Sequence, residues 1–164
     1  MRSSTDPVTP SNGSAARIQV CALGADQRRF LRRRLREAIE QQPEIRALRK
    51  LLLTLGGLEL VAPAKPDCDV PGLIKSGFVM EGSVKLKIME RSSCHQNISR
   101  LWGRKRNGIV GIGTGYALSA DGLWRQHSWG IARQGIVETT QARVKYFGRL
   151  LQGRDAESFA AANG

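Results

Sequence analysis

Residues 92–140 read SSCHQNISRLWGRKRNGIVGIGTGYALSADGLWRQHSWGIARQGIVETT, and the change of period inside this stretch sets the fold class. From Cys94 to about Gly103 the apolar residues Ile98, Leu101 and Trp102 recur at i, i+3 and i+4, which predicts a helix capped by Ser92 or Ser93. Beyond it the period shortens. Ile109–Leu118, Trp124–Ile131 and Gly135–Thr140 are β-prone segments divided by turn signals at Ala120-Asp121-Gly122 and Arg133-Gln134-Gly135. A helix leading into successive strands is an α+β pattern.

Working outward, Val84–Met89 alternates as a half-buried strand does, and Val144–Phe147 suits one more strand. Residues 61–76, with three prolines and no period, read as a connector. Between Asp26 and about Leu55 the period is helical. Leu31, Leu35, Ala38 and Ile39 form one stripe, and Ile45, Leu48 and Leu52 form a second after a break at Gln42-Pro43. Gly56-Gly57 ends this region, so residues 18–60 are expected to be a basic helical unit. Residues 1–17 have the composition of a disordered leader, residues 77–150 form the expected core, and residues 151–164 read as a frayed tail.

The 164 residues suffice for one domain with a core of its own. Three cysteines, Cys21, Cys68 and Cys94, are an odd number without CxxC spacing, which argues against a disulfide scaffold or a structural zinc site. Reduced thiols and a cytoplasmic location are the simplest expectation. No apolar run is long enough to span a membrane, and the first residues lack an apolar signal core. No metal or cofactor is expected; the GIGTG run at 111–115 has neither the Lys-Ser/Thr nor the following helix of a phosphate loop.

A formal charge of +12 calls for acidic partners. Its densest source is Arg28, Arg29, Arg32, Arg33 and Arg36, spread around a helix whose Leu31 and Leu35 point inward. This surface suits nucleic acid or an acidic protein; the plainer reading is a solvated helix face.

Cys94 would open its helix, where the positive end of the helix dipole favours a thiolate. A free cysteine is also commonly a small buried hydrophobe. His95 adjoins it but faces elsewhere on a helix, so His127 is the candidate base, unless it is a structural histidine. If Arg133-Gln134 is a two-residue turn, Trp129 faces Glu138 and His127 faces Thr140. His127 and Glu138 then become diagonal neighbours roughly 7–8 Å apart at Cα. A one-residue change of turn would put Thr139 there instead. Otherwise Glu138 is a solvated carboxylate paired with Arg125 or Arg143.

The order Cys94, Gly115-Tyr116, His127-Ser128-Trp129, Glu138-Thr139 resembles the core of the transglutaminase-like superfamily within the papain-like fold. The match covers about residues 90–148, with Glu where the family usually has Asp and no proline after it. The resemblance implies a helix packed on a small antiparallel sheet, with Cys94 as nucleophile, His127 as base and Glu138 as orienting acid. It implies acyl transfer from a protein or peptide amide through a thioester, by a hydrolase (thiol protease or deamidase) or a transglutaminase-like transferase. Tyr116 would belong to the substrate side, Trp129 would wall the site from water, and Asn97 or Gln126 would help an oxyanion hole. The rival expectation is a non-catalytic basic binding module.

Overall fold

The computed structural model describes residues 23–104 and 108–164. The expected leader at 1–17 and Cys21 lie outside the described residues. The chain is α+β. The elements are α1 (Ala25–Gln41), α2 (Ile45–Thr54), β1 (Glu59–Leu60), α3 (Val70–Ser76), β2 (Phe78–Met80) and β3 (Val84–Leu86). Then follow α4 (Cys94–Gly103), β4 (Ile109–Leu118), β5 (Leu123–Ala132), β6 (Gly135–Glu138), β7 (Lys145–Leu151) and α5 (Gly153–Asn163).

The strands form one sheet in the order β2-β7-β4-β5-β6-β3, with β1 also paired to β5. The sheet is mixed, which corrects the antiparallel expectation: β1 pairs with β5 and β3 with β6 in parallel. Parallel neighbours need long crossovers. Here the β3-to-β6 crossover contains α4, β4 and β5, a non-local arrangement that no short-range period encodes.

The β5–β6 hairpin has the expected two-residue turn, with Ala132 opposite Gly135 and Gly130 opposite Val137. Two sequence expectations are corrected. The 61–76 connector contains α3, whose Val70 and Leu73 are buried. The 151–164 tail is a helix, α5, packed on α4. Its inner face carries Ala156 and Phe159 and little else that is apolar, so no hydrophobic stripe announces it. Alanine nonetheless favours helix intrinsically.

One core cluster joins α1, α2 and α3 to the sheet through Leu35, Leu48, Leu52, Leu73, Tyr116, Trp124 and Phe147. A second surrounds Trp129 with Met80, Ala117, Ile136 and Tyr146. The two tryptophans, five residues apart, therefore sit in different clusters, as strand alternation requires. The third joins α4 and α5 to Ile112 and Val137.

Glycines admit Trp129. A Cβ on its cross-strand partner Gly113 would lie 2.1 Å from the indole Nε1, and one on Gly148 would lie 2.9 Å from the far edge of the ring. The glycine-rich strand β4 is thus a seat for an aromatic ring.

Candidate functional site

Cys94 is the first residue of α4. β5 pairs with β1 only at Leu123 and Trp124, and with β6 only from Gly130 onward. The start of α4 meets β5 between them. His95 Nδ1 lies 2.6 Å from Ser128 Oγ, and that hydroxyl donates onward to Thr114 Oγ1 at 3.1 Å. His95 also packs edge-on against Phe159 of α5, with centroids 5.7 Å apart. Burial holds His95 below the usual imidazole range, so it serves here as a neutral fastener.

Ser93 occupies the cap position of α4, but its hydroxyl makes no capping bond. The loop is held instead by Asn97, which donates from Nδ2 to Glu90 O at 2.6 Å. Ser92 adopts φ +58°, a left-handed conformation that costs a non-glycine residue roughly 1–2 kcal/mol. The chain accepts this strain at the residue two before Cys94.

The sulfur of Cys94 is half-buried and free of any disulfide. Burial alone would raise its pKa. Hydrogen bonding and charge from His127, with the backbone N–H groups of Ser128 and His95, outweigh burial and hold the thiol below its ordinary range. On the other side, His127 Nε2–H donates to Glu138 Oε2 at 2.8 Å, leaving Nδ1 for the sulfur. Burial works against the imidazolium, but the bonds to Cys94 and Glu138 prevail and raise the His127 pKa.

Glu138 is fully buried. Its Oε1 accepts from the backbone N–H groups of Thr139 and Thr140, each at 2.8 Å, and from Thr140 Oγ1 at 3.0 Å. Its Oε2 accepts from His127 and from the Tyr146 hydroxyl at 3.2 Å. Desolvation opposes ionisation, yet these donors, led by His127, hold the carboxyl below the usual range. Burial and the Glu138 charge push the Tyr146 phenol far above its own, so it stays protonated as a donor.

The structure therefore brings Cys94 against His127, and His127 against Glu138 by a 2.8 Å bond. Trp129 lies against the His127 ring with centroids 6.1 Å apart, fully buried, and shields it from the opposite side of the cleft. Gln126 lines a cleft of about 470 Å³ that opens onto Cys94 and His127.

Two expected site residues lie elsewhere. Asn97 is buried and spent on the loop at Glu90, so its amide is not available to an oxyanion. Tyr116 is buried in the helical cluster, where its hydroxyl donates to Asp67 Oδ2 at 3.1 Å. The alternative pairing of Glu138 with Arg125 is also overturned, since Arg125 binds Asp121 with two bonds of 2.9 and 2.7 Å.

Sequence reasoning missed the carboxylate clamp of Thr139, Thr140 and Tyr146. Two threonines directly after a buried acid were the available signal, because short hydroxyl residues readily bond a carboxylate two positions away. Among the described residues, no group of three His, Cys, Asp or Glu side chains is arranged to hold a metal ion, and no helix is long and apolar enough to cross a membrane. No protein-family model, no curated protein and no solved structure matches the chain.

Proposed function

We propose that this chain is a thiol-dependent acyl-transfer enzyme with a papain-like, transglutaminase-like core, in which Cys94 is the nucleophile, His127 the general base and Glu138 the orienting acid. One observation carries the reading. A half-exposed thiol at a helix start lines the same cleft as a buried imidazole whose far nitrogen is fixed 2.8 Å from a buried carboxylate, and the imidazole holds the thiol's pKa down. Nucleophile, base and orienter in series is the arrangement covalent catalysis requires.

In this reading the Cys94 thiolate attacks the carbonyl carbon of an amide or ester. The S–C bond forms, and negative charge gathers on the oxygen. The Cys94 backbone N–H at the helix start, with Gln126 in the cleft, stabilises that oxygen. The C–N or C–O bond then breaks as the His127 imidazolium gives its proton to the leaving group. In the second half His127 takes a proton from water or an amine, which attacks the thioester and returns the thiolate. Water makes the chain a hydrolase, and an amine makes it a transferase.

The test is modification of the folded protein at pH 6. Iodoacetamide should label Cys94 ahead of Cys21 and of the exposed Cys68, and His127→Ala should abolish that lead. p-Nitrophenyl acetate should release a burst of nitrophenolate and leave an acetyl group on Cys94. Equal labelling of all three thiols with no acetyl-cysteine would overturn the reading.

A second reading concerns α1. Arg28, Arg29, Arg32, Arg33 and Arg36 are all exposed, while Leu31 and Leu35 are buried. Only Arg29 and Arg33 of the five pair with a carboxylate on the helix, Asp26 at 2.7 Å and Glu37 at 4.0 Å. We propose this face as a surface for an acidic protein or a nucleic-acid backbone, compatible with acyl transfer elsewhere in the chain.

A further inference from the structure

Three guanidinium groups converge on the cleft that holds Cys94: Arg91 from the loop before α4, Arg125 from β5 and Arg143 from the loop before β7. Among the described residues, no carboxylate lines that cleft. Glu138 lies buried behind His127, with both oxygens already occupied by donors. The three arginines are not equivalent. Arg125 is neutralised by its two-pronged pairing with Asp121. Arg91 stands at the exposed rim.

Arg143 is partly buried and bonds only to neutral groups, Ser119 Oγ at 2.5 Å and Thr140 Oγ1 at 3.4 Å. Its Nε is buried without a hydrogen-bond partner, and no ion pair within the described residues includes it. The Glu138 carboxylate acts on this guanidinium only from behind Thr140, which leaves the charge partly uncompensated on the cleft side, where a ligand could supply the rest. The fork of a guanidinium matches a planar carboxylate. Arg143 touches the Cys94–His127–Glu138 series only through Thr140, which bonds Glu138 Oε1.

We infer that the cleft binds an acyl donor bearing a carboxylate, held by Arg143 with Arg91 at the rim, beside the carbonyl that Cys94 attacks. The substrate is then an acidic amide or ester, such as an acidic side chain's derivative or a chain ending in a carboxylate, and Arg143 sets specificity. The inference rests on the acyl-transfer reading of Cys94.

Two alkylating agents that differ in one group separate the questions. In each reaction the thiolate forms an S–C bond, the C–I bond breaks, and iodide leaves with the electron pair. Iodoacetate carries a carboxylate and iodoacetamide is neutral, so their rate ratio at one sulfur cancels the thiolate fraction. On the intact chain, with adducts assigned by mass spectrometry, the iodoacetate-to-iodoacetamide ratio should be roughly tenfold higher at Cys94 than at Cys68. It should shrink with added salt, fall close to the Cys68 ratio in Arg143→Gln, and persist in large part in Arg143→Lys. Arg91→Gln, at an exposed position, should lower it partially.

Equal ratios at the two thiols overturn the anionic-substrate inference. So does a preference that survives Arg143→Gln, which would belong to the His127 imidazolium. A Cys94 slow toward both reagents overturns the acyl-transfer reading itself. Fast reaction with iodoacetamide and no preference for iodoacetate removes only the substrate class.

Discussion

Replacing Glu138 by Gln keeps the shape of the side chain and removes one charge. Its consequence follows from which partners can adapt. The Thr139 and Thr140 N–H groups are fixed backbone donors, so the amide oxygen must face them. The amide NH2 then points at His127 Nε2 and the Tyr146 hydroxyl. The phenol can rotate to accept. The imidazole can accept only by losing its Nε2 proton, which leaves its proton on Nδ1, toward the sulfur. In that tautomer His127 cannot take a proton from Cys94. Loss of an opposite charge at such range shifts an imidazole by about 1–3 pKa units, which is about 1.4–4 kcal/mol. The thiolate–imidazolium pair at pH 6 should therefore fall by roughly 10- to 1000-fold, and Cys94 alkylation by iodoacetamide should fall with it. The mismatched buried amide should also lower unfolding free energy by about 1–3 kcal/mol. The assay is the alkylation rate at pH 6 and at pH 9, beside urea unfolding of the same sample. Recovery at pH 9 is expected, because the thiol ionises there without help. Unchanged labelling at pH 6 in a folded Glu138→Gln protein would refute the claim that this carboxylate governs the imidazole.

Stability should also carry the mark of the buried pair. The Glu138 carboxyl is depressed below 4.5, so its contribution is full above that value and is lost as pH falls through the lower folded value. The His127 imidazole is raised above 6.5, so its contribution is full below 6.5 and is lost as pH rises through the higher folded value. Urea midpoints measured from pH 3 to pH 9 should thus fall at both ends, and Glu138→Gln should flatten the profile; an unchanged profile in the variant would count against the pair. Gly113→Ala places a methyl carbon 2.1 Å from the Trp129 indole and should destabilise the fold by about 1–3 kcal/mol or more, seen as a lower Tm. Ser128→Ala leaves His95 Nδ1 without its 2.6 Å partner and should cost about 1–3 kcal/mol while slowing Cys94 alkylation, because the start of α4 loses its tether. Binding of a random oligonucleotide should weaken steeply between 50 mM and 200 mM salt, as phosphate contacts do, and weaken further when Arg32 and Arg33 become Glu; salt-independent binding would exclude the α1 face.

The sequence alone determined what short range controls. The helical stripe after Cys94 gives α4 with the expected limits, because a 3.6-residue period needs only neighbours to be read. The Arg133-Gln134 turn sets the β5–β6 register, and that register places His127 and Glu138 within reach, since side chains alternate strictly along a strand. Helices α1 and α2 were legible for the same reason, from Leu31, Leu35, Leu48 and Leu52.

Tertiary structure alone decided which edges meet. The parallel pairing of β3 with β6 and of β1 with β5, and the start of α4 against β5 between those partners, join segments dozens of residues apart. Their choice depends on burying whole surfaces together, which no local pattern records. The same holds for Tyr146 on Glu138 and for Arg91, Arg125 and Arg143 around one cleft. Each comes from a different element, so only the folded chain makes them neighbours. Asn97 and Tyr116 show the converse: both are polar near a cysteine or a strand motif in sequence, yet packing turned Asn97 to nearby Glu90 and Tyr116 to Asp67, 49 residues away, and neither to the cleft.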